Sequence, residues 1–295
     1  MTATTALTAQ NTKGVYGIHL VPPEFLRQQI DAVIEDVGVD VVKTGPDSLP
    51  NPLTHSPFPA NYLLTLTNLN IGMLGSAEAI ITIADALTYH KVSTVVIDPV
   101  RYLLPLPSQQ YFLLTLPQVM IATTGAQLLP PSTLHLLQTH LLPLATIVTP
   151  NVPEALRLLE SAEHGGGGAP PRDVRTADDL EAMARAIRAL GPRWVLVKGG
   201  HCPFGRDGVV AEGEEGRERV VDVLVGEEGA EEVVVRMETG YCRTRHTHGT
   251  GCSLACEFFL FFLLALSLSL SLSVSLCLSL SLSLSFSFFW VHEGW

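Results

Sequence analysis

The stretch ATIVTPNVPEALRLL, Ala145 to Leu159, holds the chain's architecture in miniature. A short β-branched run ends in Thr-Pro-Asn, and a Pro-Glu pair then opens an amphipathic helix. That order sets Asn151 and Glu154 at the carboxyl end of a strand. Open α/β sheets keep their ligands there.

Two further segments repeat the pattern. RWVLVKGGH, Arg193 to His201, is an apolar strand that terminates in Lys198 and two glycines, so an ammonium and a permissive backbone meet at one rim. STVVIDPV, Ser93 to Val100, ends in Asp98. A carboxylate, an amide and a lysine together suit a magnesium-bound polyphosphate. Singly, each has a plainer reading: Asp98 before Pro99 can initiate a turn, and Lys198 can be a solvated strand-end lysine.

HTHGTGCSLAC, His246 to Cys256, is a turn of glycines and a hydroxyl residue, followed by residues that suit a helix start. Its unpaired backbone N–H groups at the positive end of a helix dipole are suited to an anion. Cys252 then stands where a thiolate made more acidic by the helix terminus takes a proton, or where a small buried cysteine merely packs. Cys252, Cys256, His246 and His248 fit no common zinc spacing, and His201, His246 and His248 read as polar loop residues.

Around these rims the chain alternates strands and helices, the pattern of a parallel sheet covered by helices. Helices are predicted over Pro23 to Asp36, Ser76 to Tyr89, Ser132 to His140, Pro153 to Glu160 and Ala177 to Leu190, with strands near Val95, Ile147 and Leu196. Short strands follow at Gly208 to Glu212, Glu218 to Val225 and Glu232 to Met237. The acidic runs Glu212 to Glu215 and Glu227 to Glu232 read as solvated hairpin loops. Gly165 to Gly168 is a linker; without Gly-Lys-Ser/Thr it is no nucleotide loop.

A chain of 295 residues with 47% hydrophobic content buries one large core. Five cysteines without a secretory leader point to reduced thiols and a cytoplasmic protein. A net charge of -11 disfavours nucleic acid as a partner.

The strings TALTAQNT, VPPEFLRQQIDAV, GVDVVKTG, GMLGSAE, VIDPV, ATTGAQLL, TIVTPNVPEA, VLVKGGH and HGTGCSLAC occur in that order. In this the chain resembles the hydroxymethylpyrimidine/phosphomethylpyrimidine kinases of thiamine biosynthesis, members of the ribokinase-like superfamily. Pyridoxine- and pyridoxal-type kinases share the fold and the GTG turn, but typically carry Asp where this chain has Cys252; they are the alternative.

The resemblance implies a three-layer α/β/α fold with a mostly parallel central sheet. It also implies ATP-dependent, magnesium-assisted phosphorylation of 4-amino-5-hydroxymethyl-2-methylpyrimidine and of its monophosphate. Under it Cys252 is the base, with Gly249, Thr250 and Gly251 as the anion hole. Asn151 and Glu154 form the magnesium and phosphate site, with the metal held indirectly, while Asp98 and Lys198 steer the triphosphate. Gln10, Met73 and Val100 line the pyrimidine pocket, although Gln10 also suits a local backbone cap and Met73 ordinary core filling. A homodimer is the assembly that the resemblance suggests.

The departures are as informative. The family begins with a strand and a Gly-Ser-Asp-containing loop that closes over the pyrimidine, and nothing of that kind precedes Thr5. Loss of a strand near the middle of the sheet is expected to leave two neighbours with unpaired backbone groups. Pro46 to Ile71 intervenes between GVDVVKTG and MLGSAE, and Arg101 to Gln118 intervenes between DPV and MIATTG. Both inserts are apolar and proline-broken.

From Leu264 to Ser287 the chain is mostly alternating serine and leucine, which a CT dinucleotide repeat encodes in any frame. Residues 1–257 are therefore expected to form the kinase domain, and Phe258 to Trp295 to be a low-complexity tail of translated non-coding sequence, with both inserts as retained introns. Impaired activity of this chain follows. The stretch Phe258 to Trp290 carries no charge and is long enough to cross a bilayer. Its alternate serines leave no apolar helix face, so a membrane anchor is disfavoured, and a membrane-tethered non-catalytic remnant stands only as a competing class.

Overall fold

The computed structural model describes residues 1–11, 14–44, 68–72, 74, 76–99, 131–160 and 173–241. Ten strands are found among them. These are β1 (Thr2–Ala3), β2 (Ala6–Asn11), β3 (Gly14–Leu20), β4 (Val41–Thr44), β5 (Asn68–Ile71), β6 (Thr94–Ile97), β7 (Ile147–Val148), β8 (Trp194–Val197), β9 (Arg219–Glu228) and β10 (Glu231–Gly240). Eight form one sheet in the order β1-β5-β4-β6-β7-β8-β9-β10. From β1 to β8 every pairing is parallel, and β9 and β10 close the far edge antiparallel.

Among the described residues five helices flank the sheet: α1 (Pro23–Val37), α2 (Ala77–Tyr89), α3 (Pro131–Leu136), α4 (Val152–Glu160) and α5 (Ala177–Arg188). Their starts follow from local chemistry. Pro23 opens α1 behind Pro22, where a missing N–H costs nothing. Ser76 caps α2 by accepting the Ala79 N–H at 3.1 Å. Thr176 and Asp179 form a reciprocal capping box at α5. Gly38 ends α1 at φ +73°, a conformation glycine adopts without strain, and its N–H bonds the Ile34 carbonyl at 3.0 Å.

The sheet divides its buried side chains by face, as strand alternation requires. Val42, Val95, Ile97, Val148, Val195, Val197, Val223 and Val225 pack with the apolar stripes of the helices, including Leu26, Ile30, Ile80, Ile83, Leu158, Leu180 and Ile187. On the other face Val41, Val96, Ile147, Trp194, Leu196 and Leu224 form a second cluster. Trp194 lies flat on Gly226 of the next strand, where a Cβ would meet the indole at 1.9 Å.

Several expectations need correction. The anticipated break in the sheet is absent among the described residues. Asn68 to Ile71, the last residues of the expected first insert, form β5, which pairs in parallel with both β4 and β1. Leu69 and Ile71 are fully buried there. A strand that satisfies backbone groups on both sides and buries two aliphatic chains outweighs its low strand propensity.

Gly208 to Glu212 forms no strand; only isolated bridges occur, from Val209 to Thr176 and from Val210 to Phe204. Glu227, Glu228, Glu231 and Glu232 stand within the β9–β10 hairpin, whose turn is only Gly229 and Ala230. The helix foreseen over Ser132 to His140 is α3 followed by a π turn at Leu137–Leu141 and a 3-10 turn at Leu142–Leu144. Strands β2 and β3 form a separate antiparallel ribbon. The Gly165 to Gly168 linker, Arg101 to Gln118 and the tail lie outside the described residues.

Candidate active site

Parallel strands bring their carboxyl ends to one rim, and hydrogen bonds extend the ladder beyond them. Asp98 N–H donates to the Thr44 carbonyl at 3.1 Å, Thr149 N–H to Ile97 at 3.0 Å, and Lys198 N–H to Pro150 at 2.8 Å. Asn151 and Lys198 bridge in parallel. The residues after β6, β7 and β8 are thus fixed by backbone bonds before any side chain acts.

Asp98 is fully buried and Lys198 nearly so. The Lys198 ammonium donates to Asp98 Oδ1 at 3.3 Å, and the Thr149 hydroxyl donates to the same oxygen at 3.4 Å. Asp98 Oδ2 is buried without a protein partner. A buried carboxylate oxygen with no donor is costly unless something else meets it.

Asn151 and Glu154 hold each other across the start of α4. Glu154 Oε2 accepts the Asn151 N–H at 2.8 Å, while Asn151 Oδ1 accepts the Glu154 N–H at 3.0 Å. Burial pushes the Glu154 carboxyl up to about 7; Lys198 and the Asn151 N–H oppose this, and the Asp98 charge adds to it. A carboxyl so placed changes charge near neutrality, as groups at functional sites often do.

Four of the residues predicted from the sequence lie together among those described. Asp98, Asn151, Glu154 and Lys198 converge on one rim although they come from three separate strand ends. Gln10 lies in β2, its backbone paired with Val15, but its side chain is outside the described residues. Met73, Val100, Gly249, Thr250, Gly251 and Cys252 are outside them too.

Two neighbours escaped the sequence reading. Thr149 was visible as a hydroxyl at a strand end, one residue before Pro150. Asp222 was visible as the lone acid in RVVDVLV, on the side of the strand shared with Leu224. Its Oδ1 accepts the Gly199 N–H at 2.7 Å.

The sequence profile of the phosphomethylpyrimidine kinases matches residues 1–46 and 108–273. The chain belongs to the phosphomethylpyrimidine kinase family. It is 36% identical over 251 residues to the thiamine biosynthesis bifunctional protein ThiED of Geobacter sulfurreducens, covering 85% of this chain and 36% of that protein. It is 31% identical over 251 residues to the hydroxymethylpyrimidine/phosphomethylpyrimidine kinase of Salmonella typhimurium, covering 85% of this chain and 67% of that one. The chain thus spans about a third of the bifunctional relatives' length, 36% in the Geobacter protein.

Solved members of the family share the fold. The phosphomethylpyrimidine kinase of Clostridium difficile 630 superposes with a TM-score of 0.54 at 27% identity, over 95% of this chain and 82% of that one. The Bacillus subtilis pyridoxal kinase, solved as an ADP complex, gives 0.55 at 21% identity over 94% and 74%; the similarity extends the ribokinase-like fold to that group. Kinases of this family use ATP as phosphoryl donor.

Among the described residues no helix is long and apolar enough to cross a membrane. Nor, among them, do three or more His, Cys, Asp or Glu side chains cluster to cage a metal ion.

Proposed function

We propose that the chain descends from, and with its domain restored acts as, an ATP-dependent kinase of 4-amino-5-hydroxymethyl-2-methylpyrimidine and its monophosphate. The observation that carries this reading is the buried Lys198–Asp98 pair beside the Asn151–Glu154 pair on a single sheet rim. An ammonium, an amide and carboxylates with spare oxygens suit the phosphates of a nucleotide and its hard cation.

The donor set fits magnesium held indirectly. Glu154 and Asn151 each spend one side-chain oxygen on the other's backbone, and Asp98 keeps an unpartnered oxygen. Magnesium binds through few protein oxygens while keeping waters and phosphates, and when bound it neutralises phosphate charge. Lys198 orients the triphosphate, and Asp98 holds the ammonium in place.

Cys252 takes the proton from the substrate hydroxymethyl group in this reading. The freed oxygen attacks the terminal phosphorus, ADP leaves, and Gly249, Thr250 and Gly251 receive the phosphoryl charge through backbone N–H groups. Gln10, Met73 and Val100 line the pyrimidine pocket. A homodimer in the cytoplasm, without a nucleic-acid partner, completes the proposal.

The domain occupies residues 1–257, interrupted by inserts near 46–71 and 101–118, with the Ser/Leu/Phe segment 258–295 outside the catalytic unit. Retained introns account for both inserts, and translated intron or other non-coding sequence for the tail. The family match resumes at residue 108 and continues to 273, so sequencing the transcript decides where coding sequence stops.

A second reading, a non-catalytic remnant, is favoured by the interruption of the matched family between residues 46 and 108. Expression of the chain as written, beside a version without inserts and tail, separates the two. ADP release dependent on hydroxymethylpyrimidine is expected from the second protein only. Its absence from both refutes the kinase reading, and release with pyridoxal instead assigns the pyridoxal-type alternative.

A further inference from the structure

The rim contains a half-buried acid that the kinase chemistry leaves unused. Asp222 sits on β9, on the face that also carries Leu224, and so on the same side of the sheet as Lys198 and Asp98, which follow Leu196 and Val96 by two residues. Its Oδ1 accepts the Gly199 N–H at 2.7 Å. Part of Asp222 remains accessible, yet burial raises its carboxyl to about 6 against the opposing effects of the Gly199 hydrogen bond and the Lys198 charge.

Gly199 is held from two sides. Its own Cβ, were it present, would lie 1.9 Å from the Val221 carbonyl oxygen, so the backbone of β9 touches it directly. Its carbonyl accepts the Cys202 N–H at 2.8 Å, closing the turn that follows β8. Its N–H donates to Asp222 Oδ1. Lys198 is the residue immediately before, anchored on its other side by its N–H to the Pro150 carbonyl.

We propose that Asp222 is a positioning residue for Lys198: its carboxylate fixes the Gly199 peptide and thereby the direction in which the ammonium meets the nucleotide. Lys198 bonds Asp98 and acts on the charges of both Glu154 and Asp222, so three acids surround it. The bond to a charged acceptor is the stronger kind and the distance is short. The inference rests on the kinase reading of the same rim.

Calorimetric titration of the full-length chain with ATP in excess magnesium tests it. Asp222→Ala is expected to weaken ATP binding about tenfold, the loss of one charge-assisted hydrogen bond. Asp222→Asn, which keeps an acceptor for the Gly199 N–H but loses its charge, is expected to weaken binding less than alanine does, by about threefold. A purely structural residue would lower the unfolding temperature in both variants without separating their affinities.

Should the alanine variant fail to fold, Asp222→Ser takes its place; its hydroxyl is too short to reach Gly199, and the same weakening is expected. Equal affinity of the parent and the alanine or serine variant overturns the inference, as does an asparagine variant as weak as alanine. If the parent chain itself binds no ATP, the inference fails, while ADP release by the version without inserts and tail decides the kinase reading separately.

Discussion

The Lys198 ammonium lies 3.3 Å from Asp98 Oδ1, and neither side chain is more than 8% exposed. Two residues a hundred positions apart are thus neighbours because β6 and β8 end on either side of β7. A buried charge pair contributes little net stability, since desolvation offsets attraction, but breaking it strands a charge.

Asp98→Ala is therefore expected to cost about 3 kcal/mol, read as a shift of the urea midpoint. Asp98→Ala combined with Lys198→Met removes both charges and is expected to recover most of that loss. A double variant as unstable as the single one would show that the cost comes from packing instead.

Glu154 gives a pH dependence whose sign is fixed. Its carboxyl is raised from 4.5 to about 7, so the folded state holds a proton that the unfolded chain releases. Stability from this group is fully present below about 4.5 and falls as pH rises through about 7, by on the order of 3 kcal/mol at most. Glu154→Gln keeps an acceptor for the Asn151 N–H and removes the titration. The variant is expected to flatten the stability profile between these pH values and to unfold at a higher temperature than the parent at pH 8. A parallel profile in the variant would assign the pH dependence elsewhere.

Trp194 and Gly226 depend on each other. A Cβ at residue 226 would sit 1.9 Å from the indole, an overlap that ordinary adjustment cannot absorb. Gly226→Ala is expected to destabilise by about 3 kcal/mol or more, and Trp194→Leu in the same chain to relieve part of it. The coupling energy from the double-mutant cycle measures the contact, and additivity of the two changes would refute it.

The rim was legible because its chemistry is local. Asn151 follows a β-branched run and Glu154 opens a helix three residues on, so sequence spacing alone dictates their reciprocal hydrogen bonds. Lys198 and Asp98 end their strands in the same way, and the parallel order of β6, β7 and β8 turns three local readings into one site. β5 was illegible for the opposite reason. Asn68 to Ile71 has no strong strand pattern, and only the unpaired edges of β4 and β1 make it a strand. Asp222 was similarly hidden, because its role lies in the Gly199 peptide of another strand's end.

Cys252 carries the chemical step in the proposed reaction, and its substitution separates base from scaffold. In the restored protein Cys252→Ser is expected to lower kcat by about two to four powers of ten, with the KM for ATP little changed, since a hydroxyl is a far weaker base than a thiolate. Lys198→Ala, which removes the ammonium from the rim and leaves the GTGC turn untouched, is expected to raise the KM for ATP as well. Single-turnover kinetics distinguish the two, because only the first change slows phosphoryl transfer from bound ATP without weakening its capture. An unaltered kcat in Cys252→Ser would reduce that residue to packing and leave the proton acceptor to be found elsewhere on the rim, with Glu154, pushed up to about 7, as the next group to substitute.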